Sequence, residues 1–270
     1  MLIMKLIVTS ILLILATAIC DAHDYWLSPS AYVLKSGEEL PVRLFVGDHF
    51  NGEIERPLSK TMTVDFLLHS QTGIQDLVDP KRYEKTPVAK VALHSKGTQV
   101  ISMQRDWARI EMEGKKFHEY LKHEGLQDII DQRIQAGEAE KSATERYRRY
   151  LKSIVSVENT EGELWKRRLG HKLEIIPLTN PAKAIAGDRI TFQITLDGKP
   201  LKGVQAAALG RNDDKVSDKH ARTDSKGEVS FEVDHSGEWI VRLVHLRRCS
   251  DEEADWESFW AALTFFVPAK

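Results

Sequence analysis

Apolar and polar positions alternate with a period of two through much of the first half of the chain. In "ELPVRLFVGDHF", Val42, Leu44 and Val46 fall on one face and Arg43 on the other, the pattern of a half-buried strand. "TMTVDFLLHS", "PVAKVALHS" and "GTQVISMQ" repeat it between clusters of turn-forming residues. Short strands at such spacing predict an antiparallel sandwich. The period then changes. Phe117, Leu121, Ile129, Ile130 and Ile134 recur at helical intervals, as do Tyr147, Tyr150, Leu151 and Ile154. Ser142 stands three residues before Glu145, the spacing of a capping box, so a second helix is expected to start there.

Strand periodicity returns after the break at Pro177 and Pro181, an expected domain boundary. Ile190, Phe192, Ile194 and Leu196 share a face, and Asp197-Gly198 then supplies a two-residue hairpin turn. Val229, Phe231 and Val233 alternate after a turn at Asp224 to Gly227, and "WAALTFFV" closes the chain as a last strand. The expected fold is mainly β. Two Ig-like or transthyretin-like β-sandwiches span residues 23–180 and 181–270, and the first carries an α-helical insertion over about 115–155.

Ahead of all this, Lys5 and the apolar run "LIVTSILLILATAI" form a leader, shorter than the roughly 20 residues of a membrane-spanning helix. Cys20 and Ala22 are small residues at the −3 and −1 positions of a cut after Ala22, so residues 1–22 read as a signal peptide. Retention as an uncleaved anchor is the alternative. A lipidated Cys20 is disfavoured by the bulky Ile19 before it.

Composition changes this picture in two ways. Of the two cysteines, Cys20 and Cys249, cleavage would remove the first, so the exported chain is expected to rest on its core and no internal disulfide. The 38 basic and 40 acidic residues give a formal charge of −2, which argues against a nucleic-acid or membrane-surface binder.

Candidate chemistry begins at the cut. A mature chain starting at His23 would offer an α-amine and an imidazole Nδ1, which together close a six-membered chelate on a metal. The amine's ordinary pKa of about 8 lets a metal displace its proton at neutral pH, and nitrogen donors in a planar set suit Cu(II) and Ni(II). His49, in the turn of "VGDHFNGE", and His245, in phase with Trp239, Val241 and Leu243, are the candidates to complete the site. Taken alone, His245 reads as a core-facing histidine and His49 as a surface turn residue. Asp255 and Glu257 could orient a ligand imidazole from behind. The remaining histidines show no ligand spacing, and His118 and His123, five apart, read as solvated. No nucleophile elbow, phosphate loop, cysteine metal knuckle or zinc-protease motif is present, so nothing in the sequence demands an enzyme.

"AHDYWL", "VGDHFNGE", "FHEYLKHEGL", "ERYRRYLKSIV", "LGHKLEIIPLTNP", "GEWIVRLVHLRR" and "DWESFWAALTF" occur in that order. In this the chain resembles the NikM-like family of exported proteins, a domain of unknown function often labelled a periplasmic component of nickel or cobalt uptake. The resemblance implies an exported two-sandwich protein with a helical insertion, whose histidine after the leader binds a transition metal. The expected function is thus periplasmic binding of nickel, cobalt or copper through His23, His49 and His245, in uptake or delivery to a membrane transporter. Two rivals stand beside it: a copper-dependent redox enzyme built on the same nitrogen brace, and a metal-free sandwich acting as an interaction module.

Overall fold

In the computed structural model the described residues are 23–213 and 215–269; the leader and its expected cleavage point lie outside them. The chain opens with β1 (Asp24–Pro29), β2 (Val33–Leu34), β3 (Glu39–Gly47), β4 (Ile54–Arg56), β5 (Thr63–Ser70), β6 (Gly73–Asp76), β7 (Ala89–Ala92) and β8 (Gly97–Met112). Helices α1 (Gly114–His123) and α2 (Gln127–Gln135) follow, then β9 (Ala143–Val157) and β10 (Leu173–Pro177). The remainder is β11 (Arg189–Leu196), β12 (Lys199–Pro200), β13 (Gln205–Arg211), β14 (Val216–Arg222), β15 (Glu228–Glu232), β16 (Gly237–Arg248) and β17 (Trp256–Val267). Among the described residues no helix is long and apolar enough to cross a membrane.

The fold is mainly β, in three layers. A nine-stranded sheet ordered β14-β13-β16-β17-β9-β8-β5-β6, with β2 beside β9, forms the middle. β1, β3, β4 and β7 make a four-stranded sheet, and β10, β11, β12 and β15 make another. Side-chain alternation shows that these cover opposite faces of the middle sheet. Leu151, Val155, Ala207, Leu209, Ile240 and Ala262 pack into one core with Trp26, Val42 and Leu44. Their strand neighbours Ile154, Ala206, Ala208, Val241, Ala261 and Leu263 pack into a second core with Ile175, Ile190 and Phe192. The sheet therefore runs across the expected boundary at Pro181, because β17 pairs with β9 in parallel. Both four-stranded layers share this one sheet.

Much of the local pattern is as the sequence reads. Val42, Leu44 and Val46 are buried and Arg43 is exposed. The β11–β12 hairpin turns at Asp197-Gly198, both with positive φ, as a two-residue primed turn requires.

The helical insertion expected over about 115–155 is helical only to Gln135. The stretch around Tyr150, Leu151 and Ile154 is β9, buried on both faces. A strand covered on both sides is apolar at consecutive positions, and sampling two such faces mimics helical spacing. Glu145 is no helix cap. It is buried in β9, where its Oε1 accepts hydrogen bonds from Ser258 and, at 3.5 Å, from the Tyr120 hydroxyl.

Helices α1 and α2 pack beside the β1 sheet, on the same face of the middle layer. Phe117, Leu121, Ile129 and Ile130 lie against Val244, Leu246, Trp256 and Trp260. α1 ends in a Schellman motif: Gly125 N–H donates to the Lys122 carbonyl and Leu126 N–H to the Leu121 carbonyl, with Gly125 at φ +67°. That ending fixes His123 and Glu124 at the gap between the helices and β1.

Candidate metal centre

His23 leads into β1, and the turn after β3 brings Asp48 beside it. His23 Nδ1 is 2.9 Å from Asp48 Oδ1. This turn is tight: a Cβ on Gly47 would fall 1.9 Å from the Asn51 carbonyl oxygen. His49 and Phe50 both take positive φ, 50° and 58°, a conformation that costs a bulky residue free energy. Packing holds it. Phe50 is buried, meets Trp26 edge to face at 5.4 Å, lies under the Arg211 guanidinium, and its carbonyl accepts a 2.7 Å bond from Arg211. With Phe50 pinned inward, His49 points out.

Across the gap stand His123 from α1 and the edge strand β14. The His49 and His123 rings are 6.3 Å apart, edge to face. His49 Nδ1 lies 3.5 Å from Asp218 Oδ2, and His123 Nδ1 lies 3.0 Å from Glu124 Oε1. Asp218 also holds His220 Nε2 at 2.8 Å. The gap thus gathers four imidazoles, each beside a carboxylate. For His49 and His123 the carboxylate takes Nδ1 and leaves Nε2 directed elsewhere, the arrangement by which an acid fixes a ligand histidine's tautomer.

The floor is a row across three strands of the middle sheet: His220 pairs with Ala207, and Ala207 with Arg242. The small Ala207 is buried between them. Arg242 is buried between Asp24, 3.0 Å from its Nε, and Glu124, which bonds its Nη1. Burial pushes the Asp24 carboxyl up to about 6, with Arg242 acting against it. Burial also works to raise Glu124, but Arg242 and His123 outweigh it and hold that carboxyl below its ordinary range. The Glu124 hydrogen bond in turn lifts His123, against the effect of burial.

Of the histidines expected at the site, the structure brings His23 and His49 to one edge and does not bring His245. Residues of β16 alternate between faces. Arg242 and Val244 look toward β1 and the helices, whereas His245 pairs with Phe259 on the opposite face. It lines a cavity of about 730 Å³ that reaches round the edge of β16 to Leu126, with Gln205, Arg222 and Arg247, and burial lowers its pKa. The in-phase spacing with Trp239, Val241 and Leu243 holds, and it is what sends His245 to the far side.

Asp255 and Glu257 also meet no histidine. Asp255 accepts from the backbone and hydroxyl of Thr144, at 2.7 and 2.8 Å. Glu257 is buried between Arg146 and Arg247; burial favours its neutral form, but the two guanidiniums overcome this and keep its pKa low. The carboxylates that do lie beside histidines are Asp218, at His49 and His220, and Glu124, at His123.

Among the described residues, no three His, Cys, Asp or Glu side chains converge on one ion position. The donors present are imidazole and carboxylate, which suit borderline divalent metals. Asp48 occupies His23 Nδ1, so any ligand taken by that nitrogen would have to displace this contact.

A family model described as a domain of unknown function, DUF4198, matches residues 20–247. No curated protein matches the chain. Among solved structures, Escherichia coli alpha-2-macroglobulin activated by porcine elastase overlaps at 10% identity and a TM-score of 0.22, over 89% of this chain and 20% of that one. Salmonella alpha-2-macroglobulin overlaps at 10% identity and 0.21, over 89% of this chain and 14% of that one. The three N-terminal domains of the outer capsid protein Hoc of bacteriophage RB49 overlap at 6% identity and 0.20, over 91% and 71%. The chain thus spans a fifth or less of the macroglobulins' length, and overlaps this slight carry nothing about function.

Proposed function

The chain belongs to the DUF4198 family, and on that premise we propose that it is an exported protein that binds Ni(II), Co(II) or Cu(II) in uptake or delivery. The observation that supports this reading is that His49 and His123 face each other at 6.3 Å beside the turn whose Asp48 holds His23, each of the three histidines with Nδ1 against a carboxylate. In the mature chain the His23 α-amine and Nδ1 form the chelate, and His49 Nε2 completes a three-nitrogen set. His123 takes the place that the sequence suggested for His245. Asp218 and Glu124 hold the tautomers, and Asp48, released from His23, stays at hand as an oxygen donor.

Nickel or cobalt handling and a membrane transporter as partner, which the NikM-like resemblance implies, belong to the same proposal. So does the reading of the two packings as Ig-like or transthyretin-like units built on one shared sheet.

Because the imidazoles and the amine must shed protons, affinity is expected to fall as pH drops. The test is titration of the mature chain with each metal at pH 7.5. His49→Gln and His123→Gln should each weaken the tightest metal about tenfold or more, the cost of a lost ligand or its support. His245→Gln should leave affinity within about twofold, since a change on the opposite face touches no ligand. Affinity that depends on His245 and not on His49 would overturn the assignment.

A further inference from the structure

A second row of residues crosses the same face of the middle sheet two positions farther along. Val244 pairs with Trp260, Trp260 with Arg149, and Arg149 with Arg105. Arg149 and Arg105 are direct cross-strand partners in antiparallel β9 and β8, an arrangement that brings like charges together and is unfavourable unless something offsets it.

Among the described residues no acid pairs with either arginine to offset it. Among the described residues neither guanidinium has a hydrogen bond or an ion pair, and Arg149 Nε and Arg105 Nη1 are both buried without a partner. Arg149 is 8% exposed. Aromatic rings cover the guanidinium faces: Arg149 lies 4.1 Å from the Tyr25 ring centre, 4.4 Å from Tyr147 and 5.6 Å from Trp260, and Arg105 lies 5.4 Å from Tyr25. A ring face attracts the cation but gives its N–H donors no acceptor. Arg56 adds a third positive charge to the field on Arg105.

The acid whose field Arg149 reaches is Glu145. Burial pushes its carboxyl up to about 7, and its Oε1 is committed to Ser258 and Tyr120. It does not neutralise two arginines. Tyr25 and Arg105 are partly exposed, so the pair borders solvent, and an anion reaches the buried nitrogens by entering beside the Tyr25 ring.

We propose that Arg105 and Arg149 form a binding site for an oxyanion, a carboxylate or a phosphate, seated against Tyr25 with the two guanidinium edges donating to its oxygens. The planar fork of arginine matches both anions in a way a lysine ammonium cannot. Strand spacing puts the Arg149 backbone about 12 Å from that of Arg242 along the sheet, so the two arginines are not part of the histidine cluster, and the anion site stands whether or not that cluster holds a metal.

The experiment uses the metal-free mature chain at fixed ionic strength in a chloride buffer. Inorganic phosphate and succinate are titrated in separate arms and followed by tryptophan fluorescence, which Trp260 beside Arg149 makes sensitive to occupancy. At least one anion should bind saturably and raise the melting temperature with its concentration. Tighter phosphate binding identifies phosphate as the ligand type, and tighter succinate binding identifies carboxylate. Arg149→Lys should weaken binding at least tenfold, and exposed Arg43→Lys should not change it. If the Arg149 variant fails to fold, Arg105→Lys carries the same expectation. No saturable binding of either anion, or unchanged binding in the lysine variants, overturns the proposal.

Discussion

Replacing Arg242 with methionine should destabilise the fold by about 3–5 kcal/mol at pH 8, the usual cost of stranding a buried charge. Arg242 lies between Asp24 and Glu124, and all three are buried. Removing the cation leaves two buried carboxylates facing each other, with only His123 beside Glu124 to oppose them. The cost comes from what remains behind. The triple variant Asp24→Asn, Glu124→Gln, Arg242→Met should therefore recover most of the loss, since a well-packed neutral replacement of a buried ion network is often neutral.

The deficit also has a defined pH dependence. In the native chain burial raises the Asp24 carboxyl to about 6 while Arg242 opposes the rise. A carboxyl raised by folding contributes stability that is complete below its unfolded pKa and is lost as pH climbs through the folded value. Without Arg242 the Asp24 carboxyl rises further, Glu124 loses the cation that holds it low, and the loss extends to higher pH. The variant should be weakest at pH 8 and close on the native chain toward pH 5, as read by urea unfolding in a metal chelator. A deficit under about 1 kcal/mol, the range of a surface pair, would contradict the buried network.

The strands and the core were legible wherever one face of a strand is wet. Val42, Leu44 and Val46 or Ile190, Phe192 and Ile194 announce their face because their neighbours are polar. β9 was not legible, since a strand with a core on each side has no polar face to mark its period. Its parallel pairing with β17 joins residues more than a hundred positions apart and leaves no local trace.

The site divides along the same line. His23 and His49 stood out by position, one at the expected cut and one in a turn. His123 was read against its helical neighbour His118, whereas its actual companions come from the β3 turn and, through Asp218, from β14. His245 showed the correct phase, but phase alone does not say which face of a sheet will meet the N-terminus. Arg242, Asp24 and Glu124 carried no signal, because each looks like an ordinary surface charge until the three are brought together.

The largest effect expected on binding comes from a change that alters no side chain. One alanine added before His23 keeps every imidazole and carboxylate in place and removes the α-amine from chelating distance of Nδ1. Loss of a donor that closes a six-membered ring should weaken the tightest metal by about 100-fold, roughly 2.7 kcal/mol. His23→Gln should cost at least as much, since it removes the imidazole from the same ring.

The decisive comparison is metal titration, under one buffer and pH, of the chain beginning at His23 and the chain beginning Ala-His23, with each start confirmed by intact mass. Binding that is tight in the first and about two orders of magnitude weaker in the second is the result expected of an N-terminal chelate. Equal affinity in the two chains would contradict it.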